Sequence, residues 1–217
     1  LAAGAFIDCT SLERAVIGRG VTHLEYMFMG CTSLTEVVLP DGLVEIGWSA
    51  FAMTALSQIA LPDTVTTIGD NAFYGSKLTE IILPHGLKKI GVYTFAACSG
   101  LTKVLIPINV TTIDTMAFMG SVALTDVYYC GSEEAWKNIT IGPSNDPLTS
   151  ETVTIHYNWT SPNFENVIGG TCGENLTWEL QDSGTLIISG TGAMYDYAAG
   201  EAPWYADRDK IRDVIVS

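Results

Sequence analysis

One motif recurs along most of this chain, and a repeat of this kind leaves few folds open. Beginning at Leu34 the sequence reads LTEVVLPDGLVEIGWSAFAMTA, and at Leu56 it reads LSQIALPDTVTTIGDNAFYGSK. At Leu78 it reads LTEIILPHGLKKIGVYTFAACSG, and at Leu101 LTKVLIPINVTTIDTMAFMGSVA. Leu34, Leu56, Leu78, Leu101 and Leu124 are spaced 22, 22, 23 and 23 residues apart. A degenerate copy begins at Leu12, and residues 5–11 (AFIDCTS) are the tail of a still earlier one.

Each part of the motif has a physical reading. L-x-x-V-x-L alternates with period two, as a short strand with one buried face does; Leu34, Val37 and Leu39 point inward. The prolines Pro40, Pro62, Pro84 and Pro107 follow at once and end the strand's ladder, because proline has no N–H. Leu43 and Ile46, Val65 and Ile68, Leu87 and Ile90, and Val110 and Ile113 supply a second inward pair. Gly47, Gly69 and Gly91 then mark a sharp turn. Ala50-Phe51, Ala72-Phe73, Thr94-Phe95 and Ala117-Phe118 predict a short helical turn on the convex side, its Phe in the core. One such unit cannot bury its apolar face alone, so the copies are expected to stack as a solenoid with one parallel sheet.

The pattern L-x-x-[IV]-x-[IL]-P-x-x-[LV]-x-x-I-G-x-x-A-F resembles the BspA-like leucine-rich repeats, also called the Treponema pallidum type, over about residues 5–130. Standard leucine-rich repeats carry Asn or Cys after the strand; here that slot holds Gly42, Thr64, Gly86 or Asn109. In the Leu12 copy Gly18 replaces the proline and Phe28-Met29 replaces Ala-Phe. The segment YYCGSEEAWKNITIGPSNDPL (128–148) looks like a common ending of such arrays. With Glu133–Asn138 as a short helix, Trp136 and Ile139 share a face and form the lid. Val153, Ile155 and Tyr157 alternate as a final strand. The resemblance implies a secreted or cell-surface protein of host-associated or gut bacteria, and adhesion to host or bacterial surface and matrix proteins.

Residues 158–170 mix Pro, Gly, Asn and Ser and read as a linker. Beyond it, Leu176, Trp178 and Leu180 alternate, as do Leu186 and Ile188, around the turn Asp182-Ser183-Gly184: a small β-hairpin. Ile211, Val214 and Val216 repeat the strand spacing of the array. The expected organisation is therefore an array with a C-terminal cap (1–157), a linker (158–170), and a hairpin module with the start of a second, truncated array (171–217). The GTCG-x-NLTW and later APWY segments resemble modules that precede such arrays in gut-bacterial surface proteins. The chain opens at Leu1 without a signal peptide, and both ends fall within the pattern.

The chain's 24 acidic and 10 basic side chains give a net charge of −14. That balance excludes a nucleic-acid footprint and disfavours an anionic membrane surface. No apolar run reaches the ~18–20 residues of a membrane span. Among the five cysteines there is no C-x-x-C. Cys9, Cys31 and Cys98 share a register three residues before Leu12, Leu34 and Leu101, as small buried side chains. Cys9 and Cys31 are stacked neighbours, but parallel stacking rarely gives disulfide geometry. His23 and His85 fall in loops after strands and His156 in the final strand, all read as solvated rather than metal-binding. Ser49 lacks a G-x-S-x-G setting, Gly190-Thr191-Gly192 reads as a turn, and Glu133-Glu134 are adjacent rather than facing. Ser144, Asn145 and Asp146 read as a capping turn rather than a calcium loop. No catalytic residue, metal or cofactor is expected.

The outward column of the strands is Val16, Val38, Ala60, Ile82, Leu105 and Tyr128. It is flanked by Arg14, Glu36, Gln58, Glu80, Lys103 and Asp126. The inward column accounts for the core, so an apolar outward column with a polar rim marks an interaction site; the alternative is that β-propensity alone selects these residues or that a neighbouring cap covers them. The expected function is non-catalytic protein binding or adhesion by a monomer through this face. A structural spacer is the alternative, and a non-catalytic part of a larger surface enzyme is a third reading.

Overall fold

Two kinds of short strand alternate through the repeats. The first kind and the second kind are met in turn as β1 (Arg14–Val16), β2 (His23–Leu24), β3 (Glu36–Val38), β4 (Glu45–Ile46) and β5 (Thr67–Ile68). They continue as β6 (Glu80–Ile82), β7 (Lys89–Ile90), β8 (Lys103–Ile106), β9 (Thr112–Ile113) and β10 (Asp126–Tyr129). The computed structural model describes residues 3–160, 168–173, 176–180, 184–198 and 202–216. The chain divides into two compact units, Leu1–Trp159 and Thr160–Ser217.

In the first unit, equivalent residues of successive repeats pair in parallel. Val16 lies opposite Val38, and Ile82 opposite Leu105, itself opposite Tyr128. The expected single sheet is divided in two, β1-β3 and β12-β10-β8-β6, where β12 is Thr154–His156. No strand forms at Gln58–Ala60. One local feature sets that stretch apart: Ala60 has the weakest β-propensity of the column. The second-kind strands form their own parallel sets, β2-β4-β5 and β11-β9-β7, where β11 is Thr140–Ile141. Alternation puts Leu24, Ile46, Ile68, Ile90 and Ile113 inward, and all are buried.

The convex turns do not form helix. Each consists of consecutive tight turns with a left-handed residue two before and two after the phenylalanine. Ser49 and Met53 flank Phe51 at φ 51° and 59°, and Tyr93 and Ala97 flank Phe95 at 56° and 57°. This conformation disfavours side chains bearing Cβ, and some repeats place Gly30, Gly75 or Gly120 there instead. The strain is outweighed by bonding: with both flanks turned, alternate N–H groups point at the next repeat. Phe51 donates to Ala72 at 2.8 Å, Phe73 to Thr94 at 3.0 Å and Phe95 to Ala117 at 2.8 Å.

These turns stack six rings. Phe6, Phe28, Phe51, Phe73, Phe95 and Phe118 lie 5.5, 5.6, 5.6, 5.6 and 5.4 Å apart, in stacked orientation. Phe28 therefore occupies the regular phenylalanine slot with Met27 in the alanine position. The Leu12 copy is one residue short before its ring, which hid the alignment. Three residues after each ring stands a hydroxyl or thiol: Cys9, Cys31, Thr54, Ser76, Cys98 and Ser121. Cys31, Cys98 and Ser121 donate to the carbonyls of Phe6, Phe73 and Phe95 in the preceding repeat. The cysteines are free thiols; Cys31 and Cys98 are buried, but Cys9 is exposed. Burial pushes the Cys98 thiol up to about 11.

The far end is closed by α1 (Glu133–Lys137) and α2 (Asp146–Thr149). Ser132 caps α1, and Trp136 and Ile139 are buried against the array core, Trp136 edge-on to Tyr129 at 5.2 Å. The buried Asn145 replaces the missing next repeat. Its Oδ1 accepts the Phe118 N–H at 3.0 Å, and its Nδ2 donates to the Asp114 and Gly142 carbonyls at 2.8 Å each.

In the second unit β13 (Ile168–Thr171), β14 (Leu176–Leu180) and β15 (Thr185–Gly190) are antiparallel, and β16 (Asp213–Val216) adds in parallel to β15. The expected hairpin is thus part of a four-stranded sheet, and Ile168–Gly170 is strand rather than linker. Residues 161–167 and the turn at 181–183 lie outside the described residues. Cys172, Leu176, Trp178, Leu180, Leu186 and Ile188 form its core, with Trp204 packed 5.7 Å from Trp178.

Phe73→Ala is expected to cost the array about 3–5 kcal/mol, the usual price of a buried aromatic, read as a lower urea midpoint, whereas Val122→Ala on the exposed corner should leave the midpoint unchanged. Asn145→Ala strands the buried Phe118 N–H and removes a donor from the Asp114 and Gly142 carbonyls, and is expected to cost about 1–3 kcal/mol, with amide exchange rising first at Phe118.

Candidate functional site

The outward column is not uniformly accessible. Val16, Val38 and Ile82 are 60%, 43% and 37% exposed, and Ala60 is exposed at the equivalent position without a strand around it. Leu105 and Tyr128 are only 5% and 8% exposed. The strip anticipated from Val16 to Tyr128 is therefore accessible over its first four positions and covered over its last two. Part of the cover at Tyr128 is aromatic: His156 stacks on it at 4.5 Å and Trp159 meets it edge-on at 4.5 Å. The chain after β12 holds Trp159 there, since its N–H donates to the Tyr129 carbonyl and that of Asn158 to Gly131.

The flanking row consists of cross-strand charge pairs. Arg14 Nε donates to Glu36 Oε1 at 2.8 Å, both groups more than half exposed, so the pair adds little stability. Glu80, Lys103 and Asp126 stand opposite one another in register. Gln58 is exposed. Across the sheet, His156 Nε2 donates to Asp126 Oδ1 at 2.8 Å, and Thr125 Oγ1 to Asp126 Oδ2 at 2.8 Å. The His156 hydrogen bond, with smaller help from Thr125 and the Lys103 charge, holds the Asp126 carboxyl below its ordinary range.

His156, read from sequence as solvated, is thus half-buried, stacked and paired, and with Trp159 it is what sequence reasoning missed. A signal existed: Val153, Ile155 and Tyr157 alternate inward, which puts His156 on the outward face beside Tyr128. Their separation of 28 positions departs from the repeat length and hides the pairing. His23 lies in β2 rather than in a loop, its Nε2 3.7 Å from Glu45 Oε2. Of the slot residues after the strand, Thr64 donates to the Asp41 and Leu43 carbonyls and Asn109 to that of His85, so two of the four tie loops across repeats. Among the described residues no group of three or more His, Cys, Asp or Glu could hold a metal ion, and no helix is long and apolar enough to cross a membrane.

Because the Asp126 carboxyl is depressed in the folded state, its contribution to stability is present above the ordinary carboxylate range and is lost as the pH falls through its lowered value. His156→Phe keeps the ring stack but removes the donor. It is expected to return the Asp126 side-chain titration, followed by NMR, upward toward the ordinary range.

Comparisons with known proteins match this geometry. The BspA type leucine-rich repeat region is found in six copies over residues 1–125. The crystal structure of the T. pallidum leucine-rich repeat protein TpLRR is similar at 29% identity and a TM-score of 0.59, covering 65% of this chain and 65% of that one. A leucine-rich repeat protein from Eubacterium ventriosum is similar at 28% identity and a TM-score of 0.51, covering 54% of this chain and 32% of that one. The pneumococcal vaccine antigen PcpA shares the fold at 18% identity and a TM-score of 0.55, over 73% of this chain and 39% of its own. The chain thus spans less than two thirds of each of these proteins. No curated protein sequence matches. Six stacked copies, with one ring and one strand position recurring in each, make this chain a member of the BspA-type leucine-rich repeat family.

Proposed function

We propose that the chain is a non-catalytic protein-binding segment of a secreted or cell-surface bacterial protein, and that it binds through the outward strand face between Val16 and Ile82. One observation carries the reading. Val16, Val38 and Ile82 expose apolar side chains that the core does not use, while every inward partner in the same strands is wholly or largely removed from solvent. Scattered surface apolar residues need no explanation, but a column repeated at one position in successive repeats is a patch. Glu36, Gln58 and Glu80 rim it. Lys103, Leu105, Asp126 and Tyr128 bound it at the far end, where the aromatic cover of Tyr128 makes them a border rather than a contact surface. The closed cap end supports a monomer. Surface location draws on the family and on the pneumococcal neighbour's description as a vaccine antigen. Adhesion to host matrix or mucosal protein is the partner class that this location suggests.

The test is binding of the purified protein and its Val38→Asp/Ile82→Asp variant to immobilised host matrix and mucosal proteins. Both substituted side chains face solvent, so the urea midpoint of the array should not move. Binding is expected for the parent and a loss of at least tenfold for the variant. Equal binding by both would place the contact elsewhere, and a panel without any binder would favour a spacer that holds other domains at a distance.

A further inference from the structure

The array is not equally tied at every step, and the weak step is the one between the copies starting at Leu56 and Leu78. Both parallel ladders are interrupted there. On the first face no strand forms at Gln58–Ala60, and β6 pairs only with β8. On the second, β5 pairs back to β4 and β7 forward to β9, but among the described residues no ladder joins β5 to β7. The preceding step lacks the first ladder but keeps the second, so this is the step at which both are missing.

Bond by bond, the difference is clear. Thr66 and Gly69 donate to the Val44 and Ile46 carbonyls one repeat back, at 3.0 and 2.8 Å. Thr111 and Asp114 donate to Lys88 and Ile90, each at 2.9 Å. At the equivalent positions Lys88 and Gly91, no such bond to the Thr66 and Ile68 carbonyls forms. The spacing agrees. A Cβ on Gly69 would meet the backbone of the preceding repeat at 2.8 Å, and one on Gly142 at 2.5 Å, but from Gly91 the nearest backbone atom is 3.4 Å away. An open groove of about 670 Å3, lined among others by Thr66, Thr67, Lys88 and Lys89, lies along this step. Asp70 lines it and bridges the step at its turn end, its Oδ1 accepting the Val92 N–H at 2.9 Å.

On the turn side the same step is intact. Phe73 stacks on Phe95 at 5.6 Å. Asn71, Phe73 and Gly75 donate to Val92, Thr94 and Ala96 at 2.9, 3.0 and 2.9 Å, and Cys98 donates to the Phe73 carbonyl. Thr79 adds a bond to Ser57 at the adjoining corner.

We infer that this step is a built-in hinge: the repeats before Lys77 and those after it rotate about the phenylalanine stack, opening and closing the seam at β5 and β7 and so changing the curvature of the strand face. A joint bonded along its turn edge and without a backbone ladder along its strand edges bends about the bonded edge, because rotation there separates no ladder pair and exposes no ring; the bonds that cross outside the stack, Asp70 to Val92, Thr94 to Gly69 and Thr79 to Ser57, lie at the corners beside the turns. The motion needs no ligand and stands independently of the binding reading.

Two measurements on the intact chain test it. In amide hydrogen exchange, Lys88 and Gly91 are expected to exchange at least tenfold faster than Thr66, Gly69, Thr111 and Asp114. Equal protection would overturn the open seam. In a Cys9→Ser/Cys130→Ser background, spin labels at Asp41 and His85 span the seam, while labels at Arg19 and Asp63 span the same number of repeats before it; all four positions are exposed. Dipolar EPR should give a distance distribution about twice as broad for the spanning pair. Equal widths, even with fast exchange at Lys88 and Gly91, would mean an open but rigid seam and would overturn the hinge.

Discussion

The stacked phenylalanine rings are the element on which the rest of the array depends. A ring repeating every 5.4–5.6 Å sets the spacing of everything attached to it, and that spacing lies somewhat above the ~4.8 Å of a strand ladder. The tight turns follow from the same demand. Only a chain that passes through the left-handed region on both sides of the ring can bury the ring and still aim its N–H groups at the next repeat. Residues as poorly suited to that region as Tyr93 and Met116 are held there because the hydrogen bonds made by their neighbours outweigh the local strain.

The polar ladder beside the rings shows how a core built by repetition treats its leftover groups. The carbonyls of Phe6, Phe28, Phe73 and Phe118 accept from the N–H three residues on, which leaves each a second lone pair inside the core. Cys31 and Cys98 supply a small donor to that lone pair of Phe6 and Phe73 from the following repeat, Ser121 donates to the Phe95 carbonyl in the same way, and the Thr54 hydroxyl serves Phe51 from within its own repeat. A thiol and a hydroxyl are interchangeable here because both are small and both donate. A larger residue would push the repeats apart, and alanine would leave the carbonyl half-satisfied.

Much of this was legible in the sequence, for a stated reason. The inward residues of both strand kinds recur at fixed spacing, and burial on one side of a stacked unit tolerates few substitutes. The lid residues Trp136 and Ile139 were legible as well, being apolar where the repeat stops. Three things were not. The form of the convex turns was hidden because Ala-Phe suits a helix as well as a pair of tight turns. The phenylalanine slot of the Leu12 copy was displaced by one missing residue. The covered end of the strand face depends on His156 and Trp159, which lie beyond the last regular repeat. Pattern identifies what is repeated, and those two residues occur once.

The same contrast governs the candidate site. An outward valine has no partner that its position in the repeat dictates, so the pattern alone cannot distinguish an exposed Val38 from a covered Leu105, although the two are equivalent in every copy of the motif. At the last position of the column the cover is visible: the chain leaving β12 lays Trp159 against Tyr128. The segment that closes the array therefore also covers the end of its strand face. The −14 charge acts on the same face from outside. Like charge on two copies opposes their approach and favours solubility, which offsets the tendency of an uncovered apolar column to find apolar surface.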